Sequence, residues 1–493
     1  MIEKEKFEFC NNEILQDKPI ETKPVGYFQD AMRRFAKNKS SVAAAVIILF
    51  LILFALFAPI LGSSAYTKNP TDTMYLQYSK LLPKWEPLAW AGWDGAADEN
   101  VNKGKYLAYK AIAEETGFDP VVKVYEEGDY YDIRVDSYIK NGMMFLTLTP
   151  QEYEDIQKWQ NENRIQVIYP AVDAAKITQP SLRNDANIWY ECDPKGVPKM
   201  RNGKYADIYK TSGNDGGYDS LRIDGDDGSY KYAQVTGGAD AMSYKVRVFK
   251  NTYFQYRYGH EPSFVFGTNA FGQDIFTRLG NAARFSFTLA ICISAINLLI
   301  GAIYGAIEGY YGGTVDLVME RISDILSGIP FIVVTTLFQL HLAKHVGVVP
   351  ALLFAFVLTG WIGMAGKTRM QFYRFKKQEY ILAARTLGAS DARLIFRHIF
   401  PNAIGTLITS AVLVIPSVVY SESNLTYLGI VNLDTATMSS VGSMLSAGQS
   451  SLTTYPHIIL FPAIYISLMM ISFNLFGNGL RDAFNPSLRG TED

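Results

Sequence analysis

Glu379-Tyr380-Ile381-Leu382-Ala383-Ala384-Arg385-Thr386-Leu387-Gly388-Ala389-Ser390-Asp391, running on to His398-Ile399-Phe400-Pro401-Asn402, is a polar, basic, helix-prone stretch caught between two long apolar runs. The spacing predicts a short helix up to Leu387. Gly388 then sits where a helix stops in a left-handed cap. Ser390 or Asp391 is placed to open the next helix as its N-cap. A short helix, a sharp bend and a second helix follow, all outside the lipid. Ala383 and Ala384 are small enough to let another protein's surface approach.

Outward from that stretch the chain is apolar in blocks. The mean hydropathy, +0.03, averages two populations. Some segments are almost pure Leu, Ile, Val, Ala and Phe, and one long segment is rich in Asp, Glu, Lys, Tyr and Gly. Runs of bilayer-spanning length fall at 42–61, 284–307, 317–343, 349–366, 403–421 and 456–477, which predicts six spans. Arg33, Arg34, Lys37 and Lys39 precede the first run and place the N-terminus inside. That run is too far from Met1 for a cleaved signal peptide and is read as an uncleaved span. The 308–316 turn, the 367–400 loop and the C-terminus then fall inside, and 422–455 outside. Lys367, Arg369, Arg374, Lys376, Lys377, Arg385, Arg393 and Arg397 crowd the predicted inner loop, an independent check on the orientation.

The layout is a cytoplasmic arm (1–41), a first span (42–61), an extracytoplasmic insert (62–265), a segment returning to the membrane (266–283), a five-span core holding the loop 367–402 (284–480), and a cytoplasmic tail (481–493). The fold class is an all-α polytopic membrane domain with a large extracytoplasmic α+β insert between spans 1 and 2. The insert is mildly acidic, well mixed and rich in Tyr and Trp, the composition of a folded globular surface. A helix is expected over 102–116, ended by Gly117. Thr149-Pro150-Gln151-Glu152 is a capping box with Pro at the first helical position, opening a helix to about Asn161. Strands are expected at 121–125, 131–135, 143–148 and 165–168, a Gly/Asp loop at 212–228, and strand-like aromatic alternation over 230–258. Cys10, Cys192 and Cys292 lie in three different settings, so no disulfide is expected.

Several motifs carry less than they suggest. Gly366-Lys367-Thr368 has Trp361 where a phosphate loop needs glycine, and a membrane span leads into it. His341 and His345 share a helix face but have no carboxylate pair beside them, and no metal is expected there. Asp224-Gly225-Asp226-Asp227-Gly228 reads as a turn, lacking the later ligands of a calcium loop. Glu308, Asp316, Glu320, Arg321 and Asp324 lie in or at spans. They must face the bundle interior, a partner or the headgroups, either lining a path or forming an ion pair near the membrane surface. No serine-histidine-acid set and no redox cysteine pair stand out, and no basic stripe with interleaved aromatics points to nucleic acid.

Ala383, Ala384, Gly388 and Pro401 fall on the spacing of the cytoplasmic loop of ABC-importer permeases, with Leu382 where the family carries Glu. Tyr380, Leu-Gly-Ala-Ser at 387–390 and Pro401-Asn402 resemble the oligopeptide/dipeptide/nickel branch. Gly267, Thr268, Gly272, Asp274 and Arg278 match the segment that precedes that family's second span, with Asn269 and Gln273 in place of two charged residues. Gly309-Tyr310-Tyr311-Gly312-Gly313-Thr314-Val315-Asp316, then Asn474-Leu475, Gly477-Asn478-Gly479-Leu480-Arg481-Asp482 and Asn485-Pro486, resemble further family segments. The resemblance is loose over 1–61, close over about 262–490, and does not reach the insert.

It implies a type I ABC importer permease fold in the cell membrane. It implies a transport subunit rather than an enzyme, moving oligopeptides or dipeptides, or in the same architecture nickel or another small solute. The implied partners are a second homologous permease, two ATP-binding subunits inside and a substrate-binding lipoprotein outside. ATP and Mg would be used by those subunits, with no cofactor bound here. Ala383, Ala384, Arg385, Thr386, Leu387, Gly388, Ala389, Ser390 and Asp391 are the implied ATPase-coupling residues, with Arg385 and Asp391 bonding the partner or capping their own helices. Two other classes fit the sequence less well. A membrane-anchored sensor or adhesion domain leaves six spans and a basic loop without a task. A channel or proton-coupled carrier calls for internal repeats or broken spans with buried charges, and no such repeat stands out.

Overall fold

The computed structural model describes residues 27–62, 73–172 and 241–484 without 436 and 437, together with short pieces between 177 and 238. Most of the N-terminal arm with Cys10, Cys192, much of the 212–228 stretch and the tail from 485 lie outside the described residues.

Helix α1 (Tyr27–Lys37) leads into α2 (Lys39–Leu61), whose N-cap Asn38 accepts the Ser41 amide. Among the described residues the insert holds two larger sheets, each with a helix laid on it, and three two-stranded ladders, two of which place short strands (Ser220–Leu221 and Ile223–Asp224) in the stretch expected to be a Gly/Asp loop. The first has antiparallel order β1 (Ala96–Asn102), β3 (Tyr130–Asp136), β2 (Val121–Glu127), with α3 (Lys103–Thr116) against it. Gly117 ends α3 at φ 78°. In the second, β4 (Met143–Leu148) pairs along one edge of β7 (Ser243–Phe249), while β6 (Gln234–Thr236) and β5 (Ile168–Tyr169) share the other. Helix α4 (Pro150–Asn163) covers this sheet, and both bonds of its Thr149/Glu152 capping box are present. A buried ion pair, Arg247 Nη1 to Glu115 Oε1 at 2.5 Å, links β7 to α3.

Two expectations in the insert fail for local reasons. The strand expected at 165–168 shrinks to Ile168–Tyr169, because Gln160 Oε1 takes the Val167 and Ile168 amides at 2.7 and 2.6 Å. The aromatic alternation ends at Phe249, and Lys250–Tyr258 is helix α5, closed by Gly259 at φ 75°. The tilted rings of Phe254 and Tyr258 meet one helical turn apart, centroids 4.6 Å, a spacing that alternation and a helix share.

The membrane core is built around α6 (Ile275–Tyr311), 37 residues long and so about 55 Å end to end. It is followed by α7 (Gly313–Ser327), α8 (Phe331–Val346), α9 (Val348–Phe375), α10 (Glu379–Thr386), α11 (Asp391–Tyr427), α12 (Val441–Gly448) and α13 (His457–Phe484). Five described helices, α2, α6, α9, α11 and α13, are long and apolar enough to cross a membrane; α7 and α8, bent by 71° at a short break, make a sixth if they count as one span. The single run expected over 317–343 is thus two helices. Pro330 is the N-cap of α8, and proline cannot donate the amide that would carry the helix through. Helices α6, α9 and α11 overrun their apolar runs at both ends, α2 and α13 at one end only, and half of the 266–283 return segment is already α6.

Gly301, Gly305 and Gly309 bring α6 against α9. A Cβ on Gly305 would lie 2.1 Å from the Ala365 carbonyl oxygen, so only glycine admits this approach. Arg284 on α6 donates to the Ala55 and Leu56 carbonyls of α2 at 3.4 and 3.1 Å. Pro59 leaves the Ala55 carbonyl without its own helical donor.

Candidate coupling site

Helix α10 is short because its sequence stops it. The Gly388 amide bonds the Arg385 carbonyl at 2.9 Å and the Ala389 amide bonds the Ala384 carbonyl at 3.1 Å, the paired bonds of a Schellman motif. Gly388 takes φ 84°, with open space where a Cβ would stand. Ser390 is the extended residue before α11, but its hydroxyl makes no cap bond.

One side of α10 is anchored. Ile381 is fully buried with Leu394, Ile395, Ile399, Phe372, Ala306 and Tyr310, and the Schellman pair Ala384 and Ala389 packs on this cluster. The other side is bare. Leu382, Ala383, Thr386, Leu387 and Gly388 are exposed, and Leu387 is 88% exposed, an extreme value for a leucine.

Arg385 and Asp391 do not cap their helices. Both are held by Tyr310 at the end of α6: its hydroxyl donates to Asp391 Oδ1 at 2.5 Å and accepts from Arg385 Nη2 at 3.2 Å. Tyr310 thereby ties both sides of the bend to α6. Lys376 Nζ donates to the Gly309 and Tyr310 carbonyls at 2.7 and 3.4 Å, a cation on the C-terminal end of α6. Burial lowers its pKa, and burial raises that of Tyr380 on α10. Tyr380 Oη accepts from Asn402 Nδ2 at 3.3 Å, a tie from α10 to α11.

Behind the bend, Arg369 on α9 grips α7. It forms paired bonds to Asp316 (2.6 and 2.8 Å) and to Glu320 (2.8 and 2.9 Å), with Glu308 of α6 at 3.6 Å. Tyr373 also donates to Asp316. The carboxylates that stand out in the sequence are therefore a structural ion cluster beside the loop. Arg321 pairs with Asp324 instead, on the surface.

The second group of sequence candidates gathers at the opposite end of α6. Thr268 is fully buried; its hydroxyl donates to the Tyr78 carbonyl at 2.6 Å and accepts the Leu81 amide at 2.8 Å. Gly272 turns at φ 79°, where a Cβ would stand 1.7 Å from the Tyr75 carbonyl oxygen. Asp274 caps α6 through the Phe276 and Thr277 amides, and burial pushes its pKa up to about 6. Arg278 pairs with Asp434. Asn269 and Gln273 bond one another at 2.9 Å, a neutral link. Gly267 lies against Leu81 in the same knot.

Two family models match. The one described as "Binding-protein-dependent transport system inner membrane component" covers residues 298–490, and "N-terminal TM domain of oligopeptide transport permease C" covers residues 26–83. The oligopeptide transport system permease protein OppC of Bacillus subtilis (strain 168) is 42% identical over 224 residues, which are 45% of this chain and 72% of that protein. The chain belongs to the oligopeptide and dipeptide transport permeases. The dipeptide transport system permease protein DppC of the same organism is 38% identical over 45% of this chain and 69% of its own. OppC of Haemophilus influenzae is 35% identical over 45% of this chain and 70% of its own. Among solved structures, a chain of the MetNI methionine ABC transporter in an inward-facing conformation covers 42% of this chain and 96% of its own at 14% identity. Its TM-score is 0.33, so the assignment rests on the sequence relatives. Residues 84–297 of the permease, which hold most of the insert, fall between the two model matches.

Proposed function

We propose that this permease is the membrane subunit through which an ATP-driven importer moves oligopeptides or dipeptides delivered by an external binding protein. It is a transport subunit rather than an enzyme. It works beside a second homologous permease, with two ATP-binding subunits at the α10 face and a binding lipoprotein on the insert side. Both termini are cytoplasmic in this reading. ATP and Mg act in the partner subunits.

The observation that carries the reading is the shape of α10: one side buried under α6, the other presenting Leu382, Ala383, Thr386 and Leu387 to whatever docks there. A nucleotide-binding subunit that closes on ATP drags this helix. The Schellman bend passes the displacement into α11, and Tyr310 passes it into α6. Two states of the bundle are switched only if docking favours one of them, so the joint must be stiff. The bonds at Gly388, Tyr310 and Lys376 supply that stiffness.

The test is Gly388→Glu in the assembled importer. A side chain at φ 84° strains the bend, and a carboxylate enters the docking face. Peptide uptake at the wild-type level would count against the coupling role. The insert is well placed to meet the binding protein or to cover the pore mouth. Normal receptor docking and normal uptake after its deletion would remove that part of the reading.

A further inference from the structure

Helix α11 carries a polar stripe along its length, where the exposed polar rows of α6 (Asn281, Arg284, Thr288) and α13 (Ser467, Asn474, Asn478) cover only part of theirs. Thr406, Ser410, Ser417, Tyr420, Asn424 and Tyr427 recur at steps of three, four or seven, so they share one helix face. All are exposed except Ser410, which is half-buried. Leu413 fills the one apolar place in the row. On α2, past the exposed Lys39 and Ser40 of its first turn, the exposed positions are Val46, Leu49, Phe50, Leu53, Phe57 and others equally apolar, the surface expected against lipid. Although the Ser417 hydroxyl donates to the Leu413 carbonyl of its own helix at 3.2 Å, a row of hydroxyls and an amide against hydrocarbon would be unfavourable over most of its length.

The stripe also has the right length and the right ends. Asn402 begins it, and 25 residues to Tyr427 rise about 37 Å, more than the ~30 Å hydrocarbon core. Asn402 is bonded to Tyr380 of the coupling helix, and the Tyr427 hydroxyl accepts from Gln449 Nε2 at 2.9 Å at the opposite end. The stripe carries no charge. The one acid nearby, Glu422, is turned inward, 1% exposed, and accepts from Ser286 at 3.0 Å.

We propose that this face of α11 lines the aqueous path, and that it handles the cargo through peptide backbone groups. The inference rests on the permease reading. Uncharged hydroxyl and amide groups pair with peptide N–H and C=O whatever the side chains, so acidic, basic and neutral peptides meet the same wall. The helix that bears the wall is the one the coupling bend pushes.

Ser417→Cys and Asn424→Cys test this in a chain whose three cysteines are replaced by serine, assembled with its partner subunits in proteoliposomes. Leu53→Cys on α2 is the lipid-facing control. A membrane-impermeant cationic methanethiosulfonate is expected to modify the α11 thiols about tenfold or more faster than the control, since hydrocarbon excludes a charged reagent. Modification is expected to abolish uptake, and a transported peptide to slow it. Thiols that react no faster than the control in a complex that still takes up peptide overturn the path assignment and leave the permease reading standing. Thiols that react without any effect on uptake overturn it as well. A fully assembled complex that carries no peptide, even with the natural chain, overturns both.

Discussion

Leu387→Ala isolates docking from folding. Leu387 is 88% exposed, so trimming it removes almost nothing from the permease's own packing. If an ATP-binding subunit buries it, the substitution takes roughly three carbons out of that interface at ~0.8 kcal/mol each, about 2 kcal/mol. At 1.4 kcal/mol per tenfold, the affinity of the ATP-binding subunits should fall about 30-fold. The measurement is titration of those subunits onto the reconstituted permease pair, with a thermal-unfolding midpoint for the permease alone. The midpoint should stay put, and Leu387→Met should restore most of the affinity because it keeps the volume. Affinity within twofold of wild type would refute the docking role of this face. A lowered midpoint with unchanged affinity would refute it too, by showing that the leucine serves the chain's own fold.

Other substitutions probe the supports around this face. Arg369→Met leaves Asp316, Glu320 and the nearly buried Glu308 without their shared cation. The loss should be about 3 kcal/mol in the unfolding free energy of the bundle, the low end because Glu320 is half-exposed, and Arg369→Lys should recover only part of it. Asp274 has a folded pKa of about 6 against an ordinary value near 4, so it binds more protons when folded, and its contribution is lost as pH rises from about 4 to about 6. Asp274→Asn keeps an acceptor for the cap and should flatten that part of the midpoint-against-pH curve, whereas Asp274→Ala should also lose about 1 kcal/mol of capping. Arg247→Met strands the buried Glu115 and should destabilise the insert by about 3–5 kcal/mol, read as faster proteolysis within 96–249 of the full-length permease with the membrane core unaffected.

The parts legible in the sequence are those fixed by local chemistry. Gly388 announces its bend because a left-handed residue after a helix is most often glycine, and the Thr149/Glu152 box announces its helix within four residues. Tyr310 gave no such sign. Its partners lie 75 and 81 residues away, and its own neighbourhood reads only as a glycine-rich turn. Arg369 was visible as one of eight basic residues in a loop, and Asp316 and Glu320 as acids needing a partner. Proximity in sequence offered Arg321 for them, while the fold supplies Arg369 from 53 and 49 residues on. The break between α7 and α8 was written at Pro330, but an apolar run hides a proline when length is the only criterion. The polar row on α11 has regular spacing, yet it becomes meaningful only when burial shows that it faces outward.

The insert's position follows from how its two ends are joined. The Lys80 amide bonds the Asn269 carbonyl at 3.0 Å, the Thr268 amide the Leu81 carbonyl at 2.9 Å, and the Lys84 amide the Phe264 carbonyl at 2.8 Å. The chain therefore leaves and returns through one narrow neck. Closing a long loop costs little more than closing a short one, so a whole domain is accommodated there provided the neck itself is rigid. Thr268 and Gly272 make it rigid, one by two buried bonds and the other by a contact only glycine permits. The neck does not float above the bundle. Phe266 stacks on Phe461 of α13 at 4.0 Å, and Trp93 of the insert meets the same ring at 6.1 Å. Asp274 then turns the returning chain directly into α6, whose far end is Tyr310. One helix thus has the insert's neck at its first turn and, through Tyr310, the Gly388 bend at its last, and a tilt of α6 moves both ends together.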